Sequence, residues 1–414
     1  MHLALFCPPY AGHLNPMFAL GSALQRRGHR VTFVAIDDAA ASIEAAGFGC
    51  ERVGAHSHPR GTLARLERAL TSLRGVYGIR KVIADVAGMT DMLCRDAPAV
   101  LRRIEPAGIV CDQLEPAGGL LARRFGLPQV SVANALMLNR EPYVPPPFTD
   151  WDYRRTRWAR ERNLGGYRVS DWLMGRVSAV LAHWSAAFGL PLATRTEQCL
   201  SARQIGQLSS ALDFPREDLP EGFAYTGPLR AAAEDEPPWT PPAGTRGPLA
   251  FVSLGSLQGG RFALIARITQ ACRELGLTAV VAHNGRLSDA QAAALPGAPI
   301  VARHLPQRRV IARCELVVTH GGMNTVLDAL ALGVPLVLVP LAMEQGAIAR
   351  RVVRAGAGAR LQGRSTSVAA LRRPMQRVLH DAAFRSRARD IAASLTAAGG
   401  APRAAELVER HALH

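Results

Sequence analysis

The sequence predicts an α/β protein with two Rossmann-like domains, whose parallel sheets face a central cleft. Three observations indicate this architecture. Short apolar runs alternate with amphipathic segments of helical period, the alternation restarts after a proline-rich stretch, and 414 residues are too many for one hydrophobic core. We therefore expect an N-terminal domain at 1–230, a linker at 231–248, a C-terminal domain at 249–395, and a last helix at 396–414 that can cross back to the first domain.

The first domain begins with a βαβ unit. An apolar strand at 3–9 leads through a loop carrying His13 to a helix at 15–27, for which Asn15 suits the N-cap, and a second strand follows at 30–36. Ligands of open parallel sheets bind beyond the carboxyl ends of the strands, so this loop projects toward a ligand site. Further elements are expected as strands at 107–112, 128–133 and 223–229, and as helices at 61–74, 89–103 and 116–125.

His13 and Asp112 are the candidate catalytic residues. A single histidine in a loop is usually only solvated, and an aspartate at a strand end often only caps the next helix. Both strands end at the same rim if they are parallel, and there Asp112 can orient the imidazole of His13 and stabilise its cation. A histidine that acts as a general base requires such a partner.

The second domain contains the most informative stretch, 303–346. There an apolar strand is followed by Gly321 and Gly322 and then by a helix, so that a ligand can approach the backbone and the free N–H groups of the first turn can bind an anion. Strands of this domain are expected at 249–256, 278–283, 299–305, 316–320 and 334–340, and helices at 261–275, 288–295 and from 323.

Side chains around this glycine pair suit a nucleotide. His320, Met323, Asn324 and Thr325 lie at the helix start, where side-chain and backbone donors favour a diphosphate. Asp328 lies one turn further on, where a carboxylate suits sugar hydroxyls, which suggests a ribose beside the diphosphate. Gly255 and Ser256 end the first strand of this domain and are candidates for phosphate contact across the cleft.

The segment 139–162 is rich in proline, aromatic residues and arginine. Its prolines disfavour regular structure, and it is open to three interpretations: a packed surface excursion, a wall of an acceptor pocket, or a contact with anionic membrane. The candidate acceptor-binding residues are Tyr10, Asn134, Phe148 and Trp151. Asp150 and Asp152 have the DxD spacing of some metal-dependent glycosyltransferases, but they lie in a proline-rich loop outside a clear strand-end setting, and we expect no metal there.

The formal net charge of +16 raises the question of nucleic acid. Lys81 is the only lysine, the arginines are scattered, and no zinc-finger, basic-helix or RNA-binding signature accompanies them, so we expect no nucleic-acid partner. The seven cysteines occur singly, without a CxxC pair, which indicates reduced thiols. The apolar start at 3–9 is too short for a signal peptide, and glycine and prolines interrupt the apolar run at 329–343, so we expect a cytoplasmic protein that can touch the inner face of the membrane.

Taken together, the motifs resemble those of family 1 glycosyltransferases, which have the GT-B fold. The resemblance of the second domain rests on HLPQ (304–307), THGGMNT (319–325), Asp328, GVPLVLVP (333–340) and EQ (344–345). Further stretches resemble the bacterial branch that glucosylates carotenoids and extend the match over nearly the whole chain: DMLCRDAP (91–98), CDQLEPAG (111–118), SVANALMLNREP (131–142), DWLM (171–174), LDFPREDLP (212–220), TGPLR (226–230), SLGSLQG (253–259) and HGGMNTVLDAL (320–330).

This resemblance implies UDP-glucose as donor and zeaxanthin as acceptor, with inversion at the anomeric carbon, a mono- and then a diglucoside as products, and neither metal nor cofactor. It assigns roles by position: His13 as general base and Asp112 as its partner, Gln307 at the uracil edge, His320, Asn324 and Thr325 at the diphosphate, Asp328 at the ribose, and Glu344 and Gln345 at the glucose hydroxyls. His304 stands where the plant enzymes have a tryptophan stacked on uracil. Asp328 and Glu344 replace a Glu and an Asp, and keep the charge.

Two alternatives remain open. One is a related glycosyltransferase acting on a macrolide, sterol, polyketide or other lipophilic alcohol. The other is a catalytically silent nucleotide-sugar-binding protein, which would keep the cluster at 320–328 but lose the base. The presence of both His13 and Asp112 argues against the silent protein.

Overall fold

The protein consists of two parallel sheets covered by helices, as the sequence predicts. The computed structural model describes residues 1–71, 75–231, 236–363 and 365–413. Residues 232–235, within the expected linker, residues 72–74, at the end of the helix expected at 61–74, and His414 therefore lie outside the described residues.

The N-terminal domain has a seven-stranded parallel sheet in the order β3-β2-β1-β4-β5-β6-β7. Its strands are β1 (His2–Phe6), β2 (Arg30–Ile36), β3 (Gly49–Val53), β4 (Gly108–Asp112), β5 (Gln129–Ala133), β6 (Gln204–Gly206) and β7 (Phe223–Tyr225). Its helices are α1 (Ala11–Arg26), α2 (Asp37–Ala45), α3 (Thr62–Thr71), α4 (Gly75–Ile104), α5 (Ala117–Phe125), α6 (Arg157–Leu173) and α7 (Gly175–Ala187), and a 3-10 helix spans Thr196–Cys199.

The C-terminal domain repeats this plan with a six-stranded parallel sheet in the order β10-β9-β8-β11-β12-β13. Its strands are β8 (Leu249–Ser253), β9 (Thr278–Ala282), β10 (Ile300–Ala302), β11 (Cys314–Thr319), β12 (Leu336–Leu338) and β13 (Gly358–Arg360). The helices are α8 (Gly255–Gln258), α9 (Phe262–Glu274), α10 (Asp289–Ala293), α11 (Gln307–Ile311), α12 (Met323–Ala331), α13 (Gln345–Arg354), α14 (Val368–His380), α15 (Ala382–Ala397) and α16 (Gly400–Leu413).

The first helix begins one turn earlier than the sequence suggests. Helix α1 starts at Ala11, its N-cap is Tyr10 without a capping side chain, and Asn15 lies in the second turn. The prediction of Asn15 as N-cap is therefore wrong, and His13 lies in the first helical turn and not in a loop. Pro16 inside the helix has no N–H, so the carbonyl of Gly12, four residues earlier, lacks the usual helical partner.

Several short or irregular elements escape the sequence analysis. The strands β3, β6 and β13 are only three to five residues long and lack a clear alternation. Helix α6 begins inside the segment that prolines suggested to be irregular, because Thr156 caps it by accepting a hydrogen bond from the backbone N–H of Ala159 at 3.2 Å. The strand expected at 223–229 ends at Tyr225, since Gly227 turns the chain with a φ of +71°.

The last helix packs on the N-terminal domain. The buried side chains of Ala404, Leu407 and Val408 in α16 join the core formed by α1 and the first sheet. An ion pair between Arg27 and Glu409 ties the same helix to the end of α1. The chain thus crosses from the second domain back to the first.

Apolar and ionic contacts join the two domains beside the cleft. Leu136 and Leu212 of the first domain share one buried core with Met323 of α12. Next to it, the buried guanidinium of Arg351 in α13 donates to Asp213 at 2.6 Å. The domains therefore meet across a packed interface, which fixes the walls of the cavity between them.

Candidate active site

A cavity of about 550 Å³ lies between the two domains, and both contribute to its lining. Most of the residues that the sequence singles out line it: Tyr10, His13, Asn134, Phe148, Gly255, Ser256, Gln307, His320, Gly322, Met323, Asn324, Thr325, Glu344 and Gln345. Asp112, Gly321 and Asp328 lie behind this lining, and His304 and Trp151 lie outside it.

His13 and Asp112 meet where the strand order of the first sheet reverses. Strands β1 and β4 are neighbours there, with Phe6 beside Cys111, so the chain following β1 faces the end of β4. The Nδ1 atom of His13 lies 2.6 Å from Oδ2 of Asp112. Because a carboxylate only accepts, Nδ1 carries the hydrogen and Nε2 remains the basic nitrogen.

The environment of this pair favours a charged imidazole. Burial lowers the pKa of His13, but the charge and hydrogen bond of Asp112, followed by the charge of Glu344, outweigh it, so the pKa is raised. Asp112 is fully buried, and it accepts hydrogen bonds from the backbone N–H of Leu114 at 2.8 Å and from Nδ2 of Asn134 at 2.7 Å. The carboxylate is thus held in place to orient the imidazole and stabilise its cation.

His320 lies where the strand order of the second sheet reverses, directly after β11 and beside its neighbour β8. A Cβ atom on either Gly255 or Gly322 would lie 2.6 Å from its ring, so only glycine fits on both sides of the imidazole. Gly255 also has a φ of +75°, which other residues rarely adopt. Burial lowers the pKa of His320 to about 4, so it offers a neutral ring to a ligand.

The start of helix α12 faces the cavity. Its N-cap is Gly322, which has no capping side chain, so the backbone N–H groups of the first turn, in Met323, Asn324 and Thr325, have no side-chain cap. Gly321 makes the turn before the helix with a φ of +92°. A helix start of this kind binds an anionic group such as a diphosphate.

Both carboxylate oxygens of Asp328 accept hydrogen bonds from protein groups. Its Oδ1 accepts from Nε of Arg230 at 2.5 Å and its Oδ2 from Nε2 of Gln307 at 2.6 Å. Gln307 starts α11 and lines the cavity, whereas Asp328 is buried behind it. In this arrangement Asp328 orients Gln307, and its role at a ribose stays a prediction.

His304 does not match the position expected for a base-stacking residue. Strand β10 ends at Ala302, and the chain then turns outward, so His304 is exposed and outside the cavity lining. The structure thus places His304 away from the cavity, and its role in donor binding stays a prediction. Gln307, three residues later, returns to the cavity because α11 begins there.

Glu344 and Gln345 lie at the end of the informative stretch and line the cavity. The side-chain oxygen of Gln345 accepts from the backbone N–H groups of Leu341 at 2.8 Å and Ala342 at 3.0 Å. It thereby folds the turn before α13 and keeps its amide nitrogen for a ligand. Glu344 has its carboxylate near His13, whose pKa it helps to raise.

The first domain's part of the cavity combines apolar and charged side chains. Tyr10, Asn134 and Phe148 contribute to it, but Trp151 does not, because its ring packs on Gly166 and beneath the guanidinium of Arg162 at 4.7 Å. Sequence reasoning missed the apolar lining residues Leu66, Leu70, Val82, Val86, Met89, Leu138, Met174 and Val177 and the charged lining residues Asp85, Arg140, Asp171, Arg195 and Glu197. The apolar residues on α3 and α4 have the spacing of any core-facing helix, so no sequence signal distinguishes them.

Glu115 is a further cavity residue that the sequence analysis did not single out. Its side chain is buried, and Oγ1 of Thr90 donates to it at 3.4 Å. Burial, followed by the charge of Asp112, raises the pKa of this carboxyl to about 8. The cavity thus contains a carboxylic acid that is largely neutral at neutral pH.

The DxD residues serve the contact between the domains. Asp150 accepts from Nε of Arg350 at 2.8 Å and forms an ion pair with Arg360, while Asp152 accepts from Nη1 of Arg350 at 2.7 Å. Among the residues that the structure describes, no group of three or more His, Cys, Asp or Glu side chains forms a candidate metal site. In the same part of the chain, no helix combines the length and hydropathy needed to cross a bilayer.

Comparison with known proteins shows the family and agrees with the fold. Residues 271–412 match the family model described as the C-terminal domain of erythromycin biosynthesis protein CIII-like proteins. The chain is 39% identical to the zeaxanthin glucosyltransferase of Pantoea ananas over 99% of its own length and 95% of that protein, and 37% identical to the one from Pseudescherichia vulneris over 99% and 97%.

A solved structure supports the same relationship. The calicheamicin glycosyltransferase CalG4 superposes with a TM-score of 0.79 at 26% identity, covering 99% of this chain and 98% of that one. The folds therefore agree over both domains and the cleft between them. The chain belongs to the family 1 glycosyltransferases of the GT-B fold, the family of these zeaxanthin glucosyltransferases.

Proposed function

We propose that this glycosyltransferase transfers glucose from UDP-glucose to the ring hydroxyls of zeaxanthin, giving first the mono- and then the diglucoside. One observation carries the proposal: His13, hydrogen-bonded to Asp112 behind it, and the start of helix α12 line the same cavity from opposite domains. A base and an anion-binding helix start that share one cavity suit transfer from a nucleotide sugar to an alcohol.

In the proposed reaction, Nε2 of His13 takes the proton of the acceptor hydroxyl as its oxygen attacks the anomeric carbon. The bond between that carbon and the diphosphate oxygen breaks, and UDP leaves with the electron pair. Attack from the side opposite the diphosphate inverts the anomeric centre. Asp112 stabilises the imidazolium, and the N–H groups at the start of α12 stabilise the charge developing on the diphosphate, so we propose that no metal is needed.

Two features support a carotenoid as the acceptor. The relatives named above carry zeaxanthin in their names, and apolar side chains form one wall of the first domain's part of the cavity. An apolar wall fits a long hydrocarbon acceptor. Macrolide, sterol or polyketide alcohols remain the second candidate class, because they are lipophilic as well.

A product assay separates these candidates. Purified protein is incubated with UDP-glucose or dTDP-glucose and with zeaxanthin, a macrolide, a sterol or a polyketide alcohol, and the products are identified by mass spectrometry. We expect glucosides of zeaxanthin from UDP-glucose, at a rate that EDTA does not change. Preferred transfer to another alcohol would reassign the acceptor, a requirement for metal would bring Asp150 and Asp152 back into question, and UDP binding without any product would indicate a nucleotide-sugar-binding protein.

We also propose peripheral contact with anionic membrane, through helix α6. Trp158 and Val169 are about three helical turns apart, Val169 and Trp172 about one turn, so all three lie on one face of the helix. Each of these side chains is more than half exposed. Exposed arginines flank them at 157 and 168. In contrast, Arg155 of the preceding loop is tied to Glu217 and stacks on Tyr143 at 5.1 Å, so the loop itself is less suited to lipid.

The membrane proposal is tested with vesicles. The double substitution Trp158→Ser and Trp172→Ser should abolish co-sedimentation with phosphatidylglycerol vesicles, because it removes the aromatic anchors. The matched control is Leu332→Ser, which removes an exposed apolar residue of the C-terminal domain. Equal vesicle binding by the wild type and the double variant would refute the contact.

A further inference from the structure

A ring of hydrogen bonds joins the His13–Asp112 pair to helix α12 of the second domain. The peptide bond between Gly12 and His13 closes this ring. From Asp112, Oδ2 accepts from Nδ2 of Asn134 at 2.7 Å, and Oδ1 of Asn134 accepts from Nε2 of Gln207 at 3.0 Å. Oε1 of Gln207 then accepts from Nη1 of Arg230 at 3.1 Å. Each side-chain amide thus has different partners at its two ends, which fixes its orientation.

Arg230 carries the ring across to the second domain. Its Nη2 donates to Oδ1 of Asn324 at 3.2 Å, and Nδ2 of Asn324 donates to the carbonyl of Gly12 at 3.0 Å. Gly12 directly precedes His13, so the ring ends beside the base. The carbonyl of Gly12 is available because Pro16 cannot donate to it within the helix.

The ring follows the carboxyl edge of the first sheet strand by strand. Strands β1, β4, β5, β6 and β7 are successive neighbours, and one member lies at the end of each strand or in the chain that follows it. The members in that order are His13, Asp112, Asn134, Gln207 and Arg230. Asp112, Asn134 and Gln207 are at most 2% exposed, so water does not compete for these hydrogen bonds.

We propose that Gln207 and Arg230 are positioning residues for the catalytic base, which align the Asp112–His13 pair only while helix α12 is seated against α1. Gln207 holds the amide of Asn134 with its nitrogen toward Asp112. Arg230 contacts Gln207 of the first domain and Asn324 and Asp328 of the second. The contact between the domains and the orientation of His13 therefore depend on the same side chain. This inference rests on the proposed role of His13.

The first test replaces Gln207 by Leu, which keeps the approximate size but cannot hydrogen-bond. Asn134 is then free to turn, and the charge of Asp112 is less compensated, so the imidazolium of His13 is favoured. We expect kcat to fall about tenfold. We also expect the acidic limb in the pH profile of kcat/KM for the acceptor to shift to higher pH, by about 0.5 pH units or more. UDP binding confirms that the variant is folded.

The matched control is Gln113→Leu. Gln113 is equally buried at the same edge, but its side chain bonds to the backbone of Leu136 and Leu138 instead of to the ring. We expect its substitution to lower the thermal stability without moving the acidic limb. A loss of activity in Gln207→Leu with an unmoved limb, or the same limb shift in both variants, would overturn the positioning role.

The second test uses Arg230. Arg230→Met should raise the KM for the sugar nucleotide and also move the acidic limb, because it opens the ring at the crossing between domains. Combined with Gln207→Leu, it should shift the limb no further than the larger single shift, since both open one ring. Additive shifts would refute a shared ring.

These outcomes are distinct from those of the proposed function. If His13→Ala retains full activity, the base assignment fails and the pH limb reports another group. If His13→Ala is inactive while Gln207→Leu and Arg230→Met leave the limb unchanged, the proposed function stands and only the positioning role is lost.

Discussion

The two walls of the cavity are built in different ways. The donor wall comes largely from one continuous stretch, 303–346, in which a strand, a glycine turn and a helix follow each other directly. The acceptor wall is assembled from α1, α3, α4, the chain after β5, and α6 and α7, which are distant in sequence. The proposed donor recognition is therefore local in the chain, whereas the proposed acceptor recognition depends on the packing of several helices that are distant in sequence.

This difference follows from the groups that do the binding. A diphosphate is bound by backbone N–H groups, whose position a strand–turn–helix unit determines by itself. In the proposed function an apolar acceptor is bound by side-chain surfaces such as those of Val86 and Met174, and these resemble ordinary core residues in sequence. Changes on the two walls should accordingly affect donor and acceptor separately.

The largest expected effect comes from the base between the two walls. His13→Ala should lower kcat by a factor of about 10² to 10⁴, because the acceptor hydroxyl loses its proton acceptor. UDP affinity, measured by calorimetry, should stay close to that of the wild type. Turnover near the wild-type rate would reject His13 as the base. Since its pKa is raised, wild-type activity should fall with decreasing pH from above pH 6.5.

A change confined to the acceptor wall is Met174→Trp. The larger side chain fills part of the cavity between α6 and α7, so the KM for zeaxanthin should rise about tenfold while the KM for UDP-glucose is unchanged. Leu192→Trp, at an exposed position outside the lining, serves as the control. An equal rise in both KM values would contradict the separation of the walls.

On the donor wall, two neighbouring substitutions should behave differently. Gln307→Ala removes a side chain that lines the cavity and is held by Asp328, and we expect the KM for UDP-glucose to rise about tenfold. His304→Ala should leave it unchanged, because His304 is exposed and outside the cavity. Steady-state kinetics at saturating acceptor measure both values. A larger effect of His304→Ala would mean that His304 turns inward when the donor binds.

The smallest expected effect concerns stability. The pKa of Glu115 is raised from 4.5 to about 8 in the folded state. Between these pH values the unfolded state releases the proton and the folded state keeps it, so the free energy of unfolding falls as the pH rises. Glu115→Gln remains neutral, and its Tm should exceed that of the wild type by about 2 to 4 °C at pH 8.5 but not at pH 5. Melting curves at the two pH values would contradict the assignment if the difference were the same at both.

Fold class and much of the site follow from the sequence. The periodicities predict both parallel sheets, and the glycine pair before α12 predicts an anion site because its chemistry is local. Short elements such as β6 and β13 stay hidden because three residues carry too little pattern. The wrong N-cap at Asn15 and the positions of His304 and Trp151 outside the cavity lining have one cause, since each depends on the exact residue where an element begins or on the direction in which a loop leaves a strand.

The two-domain α/β architecture and the residue types at the strand ends can be predicted from the amino-acid sequence, because periodicity and strand–turn–helix chemistry are encoded over short distances. Which of those strand ends become neighbours depends on the packing of the whole chain. The tertiary structure placed Gln207 and Arg230 between Asp112 and Asn324, and it left Asp328 bound to two protein donors. The physical reason is that hydrogen bonds depend on atomic positions, which the packing of distant strands and helices sets.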